Sequence, residues 1–360
     1  MAIDDIYMTH GYQGGVANSI IANTFNTTGL TWTTVTSGSN GRYSAYGLES
    51  NGSSINVHGL FGGSPDGGAS GVTFSEILGK TTNTWHSVTV LPTVKLGGLE
   101  VGMEDYAWIG PAASSSVAYE AILYRSPFST FVWSTMTAAP ASNGATGGGV
   151  DVVSAKLRSV CGYNGGNHAN VYQYVYSTGL WSTKGASGAL AGGGAKIFSD
   201  DTGTYGYYNG AQGGSTAEYR RFGWASDVHS ARTGTSSTHG YGSNEKASGT
   251  LGYVCGGGAT QNSVNEKLTY ASNTVSTSTA VGSTQYGGAS SGPAVLGDVY
   301  TIQVQWDNAS VWTDVTTQSG DAGAGVAASA ANTAYWETPS ADIGAVESNI
   351  DIRITATLDA

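Results

Sequence analysis

Residues 158–183 read RSVCGYNGGNHANVYQYVYSTGLWST. A short apolar run ends in Gly165-Gly166, a second run rich in Val and Tyr follows, and Trp181 closes it beside Ser182 and Thr183. Paired glycines supply a positive-φ turn that other residues take only at a cost, so the two runs read as antiparallel strands. The glycine-ended strand recurs as IYMTHGYQGG (6–15), INVHGLFGG (55–63), DYAWIGP (105–111), TYGYYNG (204–210) and LGYVCGGG (251–258). One position from each copy, His10, His58, Tyr106, Arg158, Tyr205 and Leu251, gives gaps of 48, 48, 52, 47 and 46. A fixed period of that size marks a repeat architecture.

Two further series keep the same phase. Trp32, Trp85 and Trp133 stand where Trp181 does, and the fifth and sixth copies place His229 and Val275 there. Ahead of each glycine-ended strand lies a glycine-rich segment: RYSAYGLES, KLGGLEVG, GATGGGVDV, LAGGGAKIF, HGYGSNEK and QYGGASSG. These read as inner strands, where glycine lets backbones crowd together. Each repeat is thus expected to be one antiparallel sheet of four strands. Such a sheet alone leaves an apolar face wet, and stacking copies in a ring buries it.

The composition agrees with an all-β chain. Its 360 residues include 55 Gly, 21 Tyr, 9 Trp and 7 Phe, too many aromatics for a disordered tract. Charged residues are 11 % and the net charge is −11, with 14 basic residues dispersed, so no strip exists to follow a phosphate backbone and no nucleic-acid partner is expected. No apolar run approaches the ~20 residues that span a bilayer, so no membrane insertion is expected. MAIDDIYMTHG lacks the basic and apolar regions of a signal peptide. Cys161 and Cys255 occupy similar places in different repeats and read as buried thiols rather than a bridge.

The repeat resembles the kelch family, whose repeats pair a double glycine with a Tyr and a Trp at similar spacing. The resemblance covers residues 1 to about 290 and implies a six-bladed β-propeller. Copy three has Gly110-Pro111 in place of two glycines, and copies five and six lack the tryptophan. The chain opens on a second strand, and 285–292 is an inner strand with no complete copy after it, so the two ends are expected to complete one blade. Residues 1–293 are therefore read as the propeller and 294–360 as a small C-terminal β module, a candidate attachment or homo-oligomer contact. In that module Tyr300, Ile302, Val304 and Trp306 alternate, as do Ile350, Ile352 and Ile354, while 318–332 reads as loop.

Aromatic residues are the candidate binding residues. Tyr12, Trp108, Tyr207 and Tyr253 are read in one register beside the glycine turns, and Tyr46, Tyr241 and Tyr286 lie on the inner strands. Exposed aromatics among small polar residues suit sugar rings or a protein partner. His10 and His58 share a register, but two ligands do not make a metal site, and no cofactor is expected. The acidic pairs Asp4-Asp5 and Asp200-Asp201 lack the ligand spacing of a calcium loop and read as capped turns. Ser199, Asp201 and Gly203 match part of a sialidase Asp-box, and the Arg220-Arg221 pair reads as solvated. Galactose-oxidase-type copper-radical enzymes share the architecture, but no local motif joins either cysteine to the tyrosines and histidines that such a resemblance requires.

The reading favoured by these residues is a non-catalytic binding or structural protein. The Gly/Ser/Thr/Ala/Tyr-rich, Lys-poor style resembles phage virion proteins, implying a tail-fibre, spike or capsid-decoration component that presents loops to a protein partner or host-surface glycan. A carbohydrate-active or copper enzyme and an intracellular kelch scaffold are the alternatives.

Overall fold

The computed structural model describes residues 5–9, 22–26, 29–38, 46–49, 57–64, 71–80, 82–103, 106–113, 118–142, 147–151, 156–163, 167–186, 196–200, 203–209, 217–239, 244–248, 250–257, 263–280, 289–291, 299–308, 311–314, 317–320, 323–327, 334–337 and 352–358. Among them every regular element is a β-strand, and no helix is long and apolar enough to cross a membrane. The chain divides into two units, Met1–Val295 and Leu296–Ala360.

The first unit holds six antiparallel sheets, numbered here in chain order with their strands counted outward from the glycine-rich one. Sheet 1 is Ala289–Ser291, Asp5–Thr9, Ala22–Asn26 and Thr31–Val35, so its first strand comes from the far end of the unit. Sheet 2 is Tyr46–Glu49, Val57–Phe61, Ser75–Gly79 and Thr84–Ser87. Sheet 3 is Leu96–Met103, Tyr106–Ala113, Tyr124–Pro127 and Ser134–Thr135, with Tyr119–Glu120 added beside Ala112 and Ala113. Sheet 4 is Gly147–Asp151, Lys156–Tyr163, Asn167–Val175 and Leu180–Lys184. Sheet 5 is Lys196–Ser199, Tyr205–Asn209, Tyr219–Gly223 and His229–Arg232, and sheet 6 is Asn244–Ser248, Leu251–Cys255, Asn265–Thr269 and Thr274–Ser278.

The middle strands are buried on both faces: Val171, Tyr172, Gln173 and Tyr174 are consecutive and all buried. A sheet buried on both sides needs a neighbour on each. Six junctions provide them. Tyr7, Ala22 and Val35 meet Leu78 between sheets 1 and 2, and Phe61 and Val57 meet Ile109 and Phe131 between 2 and 3. Leu99 and Trp108 meet Leu157 and Tyr174; Val160 and Val171 meet Tyr208 and Phe222; Phe198 and Tyr207 meet Val254 and Leu268. Finally Tyr253 of sheet 6 packs against Ile6 and Phe25 of sheet 1.

Tryptophan ties these junctions with a repeated hydrogen bond. Trp85 Nε1 donates to the Thr36 carbonyl at 2.7 Å, Trp133 to Thr89 at 3.3 Å, and Trp181 to Thr137 at 2.8 Å. Trp32 donates to Thr279 at 2.8 Å, tying sheet 1 to sheet 6. Each acceptor lies four residues beyond the tryptophan position of the preceding sheet. The fourth-strand register confirms the substitutions read from sequence: His229 faces Phe222 and Val275 faces Leu268, as Trp32 faces Phe25 and Trp85 faces Leu78.

Two residues before each of these positions the backbone turns left-handed: Leu30, Asn83, Phe131, Gly179, Asp227 and Asn273, with φ between 52° and 66°. Only one is glycine. Asn and Asp tolerate this region, but Leu and Phe lose roughly 1–2 kcal/mol there. Phe131 lies in the junction cluster with Phe61 and Phe128, and Leu30 packs beside Phe25, so burial offsets the strain.

The glycine-rich first strands crowd as expected. A Cβ on Gly148 of sheet 4 would lie 2.6 Å from the Glu100 backbone nitrogen of sheet 3, and the Gly47 N–H donates to Glu100 Oε2 at 3.1 Å. The register of the first copy differs from the sequence alignment. His10 was aligned with His58, but Ile6 faces Phe25 as His58 faces Leu78, so the copies are offset by four residues. The shared His-Gly pair misled because register follows the cross-strand partners, not a dipeptide.

In the second unit, Val299–Asn308 pairs with Ile352–Leu358, Val311–Asp314 and Gly323–Ala327, and Thr317–Gly320 pairs with Ala334–Glu337. Tyr300, Ile302, Val304 and Trp306 stand opposite Leu358, Ala356, Ile354 and Ile352. Gly323–Ala327 thus falls inside 318–332, which reads as loop, and Thr317–Gly320 overlaps its start. Small residues have weak strand propensity, and cross-strand pairing overrides it.

Two substitutions test the packing. Gly148→Ala is expected to destabilise by about 1–3 kcal/mol, because the added methyl meets backbone that cannot swing aside. Trp181→Phe, which keeps an aromatic ring and removes the N–H, is expected to cost about 1 kcal/mol in denaturant titrations.

Candidate functional site

One register level recurs through the sheets and in several of them carries Arg, Lys or Tyr. At this level the second strand presents Tyr7, Gly59, Trp108, Arg158, Tyr207 and Tyr253, opposite third-strand Thr24, Ile77, Arg125, Gln173, Arg221 and Lys267. The residue just after the third strand of the next sheet completes the level: Lys80, Phe128, Tyr176, Trp224 and Tyr270 at the first five junctions.

Cations and rings interleave here. Lys80 Nζ lies 4.7 Å from the Tyr7 ring centre. Arg125 is enclosed by Tyr106, Trp108 and Tyr176 at 4.5, 5.6 and 5.7 Å and donates to the Tyr176 hydroxyl at 3.3 Å. Two sheets on, Arg221 lies 3.8 Å over Tyr205. The cages at sheets 3 and 5 are register equivalents, with Tyr106 matching Tyr205 and Tyr176 matching Tyr270.

At the junction of sheets 4 and 5, where the tryptophan is absent, the fastening is ionic. Arg158 is fully buried over the rings of Phe222 and Trp224. Its Nη2 donates to Gln173 Oε1 at 2.5 Å and pairs with Asp227 Oδ1 at 2.6 Å. Lys184 holds the other oxygen of Asp227 at 3.2 Å. Asp227 reaches both from the left-handed turn position of sheet 5.

His229 stands in the tryptophan position beside this cluster. Its Nδ1 contacts the Tyr208 hydroxyl at 2.9 Å, while Nε2 is buried with no hydrogen-bond partner. Burial, then the charge of Arg158, lowers its pKa from 6.5 to about 4, with Arg220 adding to the effect and Asp227 opposing it.

At the junction of sheets 5 and 6, Glu266 accepts the Ser236 N–H at 2.7 Å and pairs with buried His239 at 2.6 Å, whose other nitrogen contacts the Gly256 carbonyl at 2.6 Å. Burial alone would raise the Glu266 pKa, but the bonds from His239 and Ser236 outweigh it and hold the carboxyl below its ordinary range.

The residues singled out from sequence fall as follows. Trp108, Tyr207 and Tyr253 share a register as expected, but they are 0 %, 1 % and 2 % exposed and fill junctions instead of presenting a surface. Tyr7, not Tyr12, occupies that register in sheet 1. A second strand wedged between two sheets gives these three rings no face on solvent, which is the physical reason. Tyr46 lies on the first strand of sheet 2 opposite Phe61. Tyr12, Tyr241 and Tyr286 lie outside the described residues, as do His10, Asp4 and Asp201. His58 is buried between Tyr7 and Trp85. Cys255 is a buried free thiol, one residue out of register with Cys161. Asp200 caps the turn into the second strand of sheet 5, accepting the Thr204 N–H at 3.0 Å and the Tyr205 N–H at 3.2 Å. The Arg220-Arg221 pair is partly buried: Arg220 pairs with Glu218 at 2.6 Å and Arg221 covers Tyr205.

Sequence reasoning missed Lys95. It is fully buried, paired with Glu120, and burial lowers its pKa despite that partner. No local pattern marks it, since its partner arrives from 25 residues away. Among the described residues no group of three or more His, Cys, Asp or Glu converges as a metal site.

No family model matches the chain, and no curated protein matches it in sequence. Among solved structures it is similar to that of YjhT, with a TM-score of 0.59 and 12 % identity, covering 78 % of this chain and 95 % of that one. At that identity the likeness concerns the fold alone.

Two measurements probe the ionic junction. The unfolded chain takes up a proton near pH 6.5 that folded His229 refuses until about 4, so stability should fall as pH drops through that window. His229→Gln should flatten this part of the curve and leave the loss at lower pH, where Glu266 is protonated. Asp227→Asn, which strands buried Arg158, should cost on the order of 2–3 kcal/mol in urea titrations at pH 7, less than a wholly buried pair because Asp227 is partly exposed.

Proposed function

We propose that the first unit is a six-bladed propeller of kelch-like repeats serving as a non-catalytic binding scaffold, and that the protein is a phage virion component. The observation that carries the scaffold reading is what its ionisable groups do. Arg158, Asp227, Lys184, His239 and Glu266 are each spent on fastening one sheet or turn to the next. In this reading the ring closes through the Trp32–Thr279 bond and Tyr253 packing against Phe25. A frame fastened at every junction holds its connecting loops in fixed relation, which suits presentation to a protein partner or a host-surface glycan.

The virion assignment draws on composition: 55 glycines, 11 % charged residues and a net charge of −11. The unit from Leu296 to Ala360 supplies attachment or subunit contact in this reading. Mass spectrometry of purified phage particles and their disassembly fractions tests it. Stoichiometric recovery with intact particles is expected; recovery only as free protein in the lysate would sink the virion assignment.

A further inference from the structure

We propose that Arg221 and Arg232 of sheet 5 form a binding site for a small oxyanion, a carboxylate or sulfate group. Arg221 faces Ser230 and Arg232 faces Tyr219 across the same strand pair, so the two arginines occupy diagonal positions on one face. Both act on the buried Tyr207 hydroxyl, Arg221 as a hydrogen-bond neighbour and Arg232 through its charge, with the charge of Asp200 opposing them. Tyr270 stacks on Tyr207 at 4.9 Å and Tyr205 lies beneath Arg221 at 3.8 Å, so rings flank the pair.

Among the described residues no carboxylate forms a salt bridge with either arginine, although the charge of Asp200 reaches the same Tyr207 hydroxyl. Glu218 is taken by Arg220, and Asp200 caps the amides of Thr204 and Tyr205. The Arg232 Nε is buried and has no hydrogen-bond partner. Two guanidiniums drawn partly out of water on one face repel each other, and a donor left unmade costs its desolvation. An oxyanion between them removes both penalties, and the planar fork of arginine is built for it.

The repeat itself isolates the anomaly. Arg232 stands three residues after the tryptophan position, where sheets 1, 2 and 3 place Val35, Val88 and Met136. Val35 and Met136 pack into the junction clusters, so this place is normally apolar filler. Sheet 4 puts Lys184 there, but Lys184 has Asp227 as its acid. At this place, among the described residues, sheet 5 alone has a cation with no salt-bridged acid. Its equivalent cage at Arg125 has one guanidinium, satisfied by the Tyr176 hydroxyl, and no second arginine.

The site deepens the binding-scaffold reading by naming the chemistry of its ligand, and it is tested on purified full-length protein. Sodium sulfate and sodium glucuronate are titrated separately at constant ionic strength against sodium chloride, followed by calorimetry and thermal shift. A saturable response to either is expected. Equal responses assign the site to free or bound oxyanions alike, and a response to glucuronate alone assigns it to a carboxylate carried on a sugar. Arg232→Met, which restores the residue of sheet 3, should fold normally and weaken binding at least tenfold, and Arg221→Gln should do the same. No saturable response beyond chloride, or unchanged affinity in Arg232→Met, would overturn the site. Binding by a protein absent from particles would remove the virion assignment and leave the site standing.

Discussion

The first unit depends on one constraint: the middle strands of its sheets are buried on both faces, so none of the sheets can be stable without a neighbour on each side. Tyr172 and Tyr174 are buried beside Val171 and Gln173 in consecutive positions of one strand. Water cannot be the solvent for either side of such a strand. The six junction clusters follow from this need, and the contact of Tyr253 with Phe25 gives the last sheet its second neighbour. The glycine-rich first strands are the geometric counterpart. Where Gly148 meets Glu100, side chains would hold the sheets apart.

Given that frame, fastening is where the repeats diverge. Four sheets use an indole N–H on a carbonyl of the preceding sheet, a neutral bond that survives changes in pH and salt. Sheet 5 replaces it with Arg158, Asp227 and Lys184, and its loop to sheet 6 is held by His239 and Glu266. Charges taken out of water contribute little net stability, but removing one partner is costly, so this side of the unit is held by matching rather than by burial. Sheet 5 is therefore the one whose attachment responds to protonation, and the arginine pair proposed to bind an oxyanion lies on it too.

Much of the architecture was legible before any coordinates. The glycine-rich segments, the glycine-ended strands and the tryptophan series each became a strand position of every sheet. The pairing of Ala289–Ser291 with Asp5–Thr9 followed from a missing inner strand at one end and a surplus one at the other. Periodicity is readable because each repeat solves the same packing problem with similar residues. The misreadings have a common cause. His10 was matched to His58 by a dipeptide, and Tyr12 was placed where Tyr7 stands, because local likeness does not measure cross-strand register.

By itself, the sequence determined an all-β chain, its repeat of four-stranded units, and the positions where tryptophan gives way to His229 and Val275. These are properties of local composition and spacing. Only the tertiary structure decided that Trp108, Tyr207 and Tyr253 are core, that Arg158 finds Asp227 69 residues away, and that Arg221 and Arg232 share a face. Burial and charge pairing depend on what the neighbouring sheet contributes, and no window of a single repeat contains its neighbour.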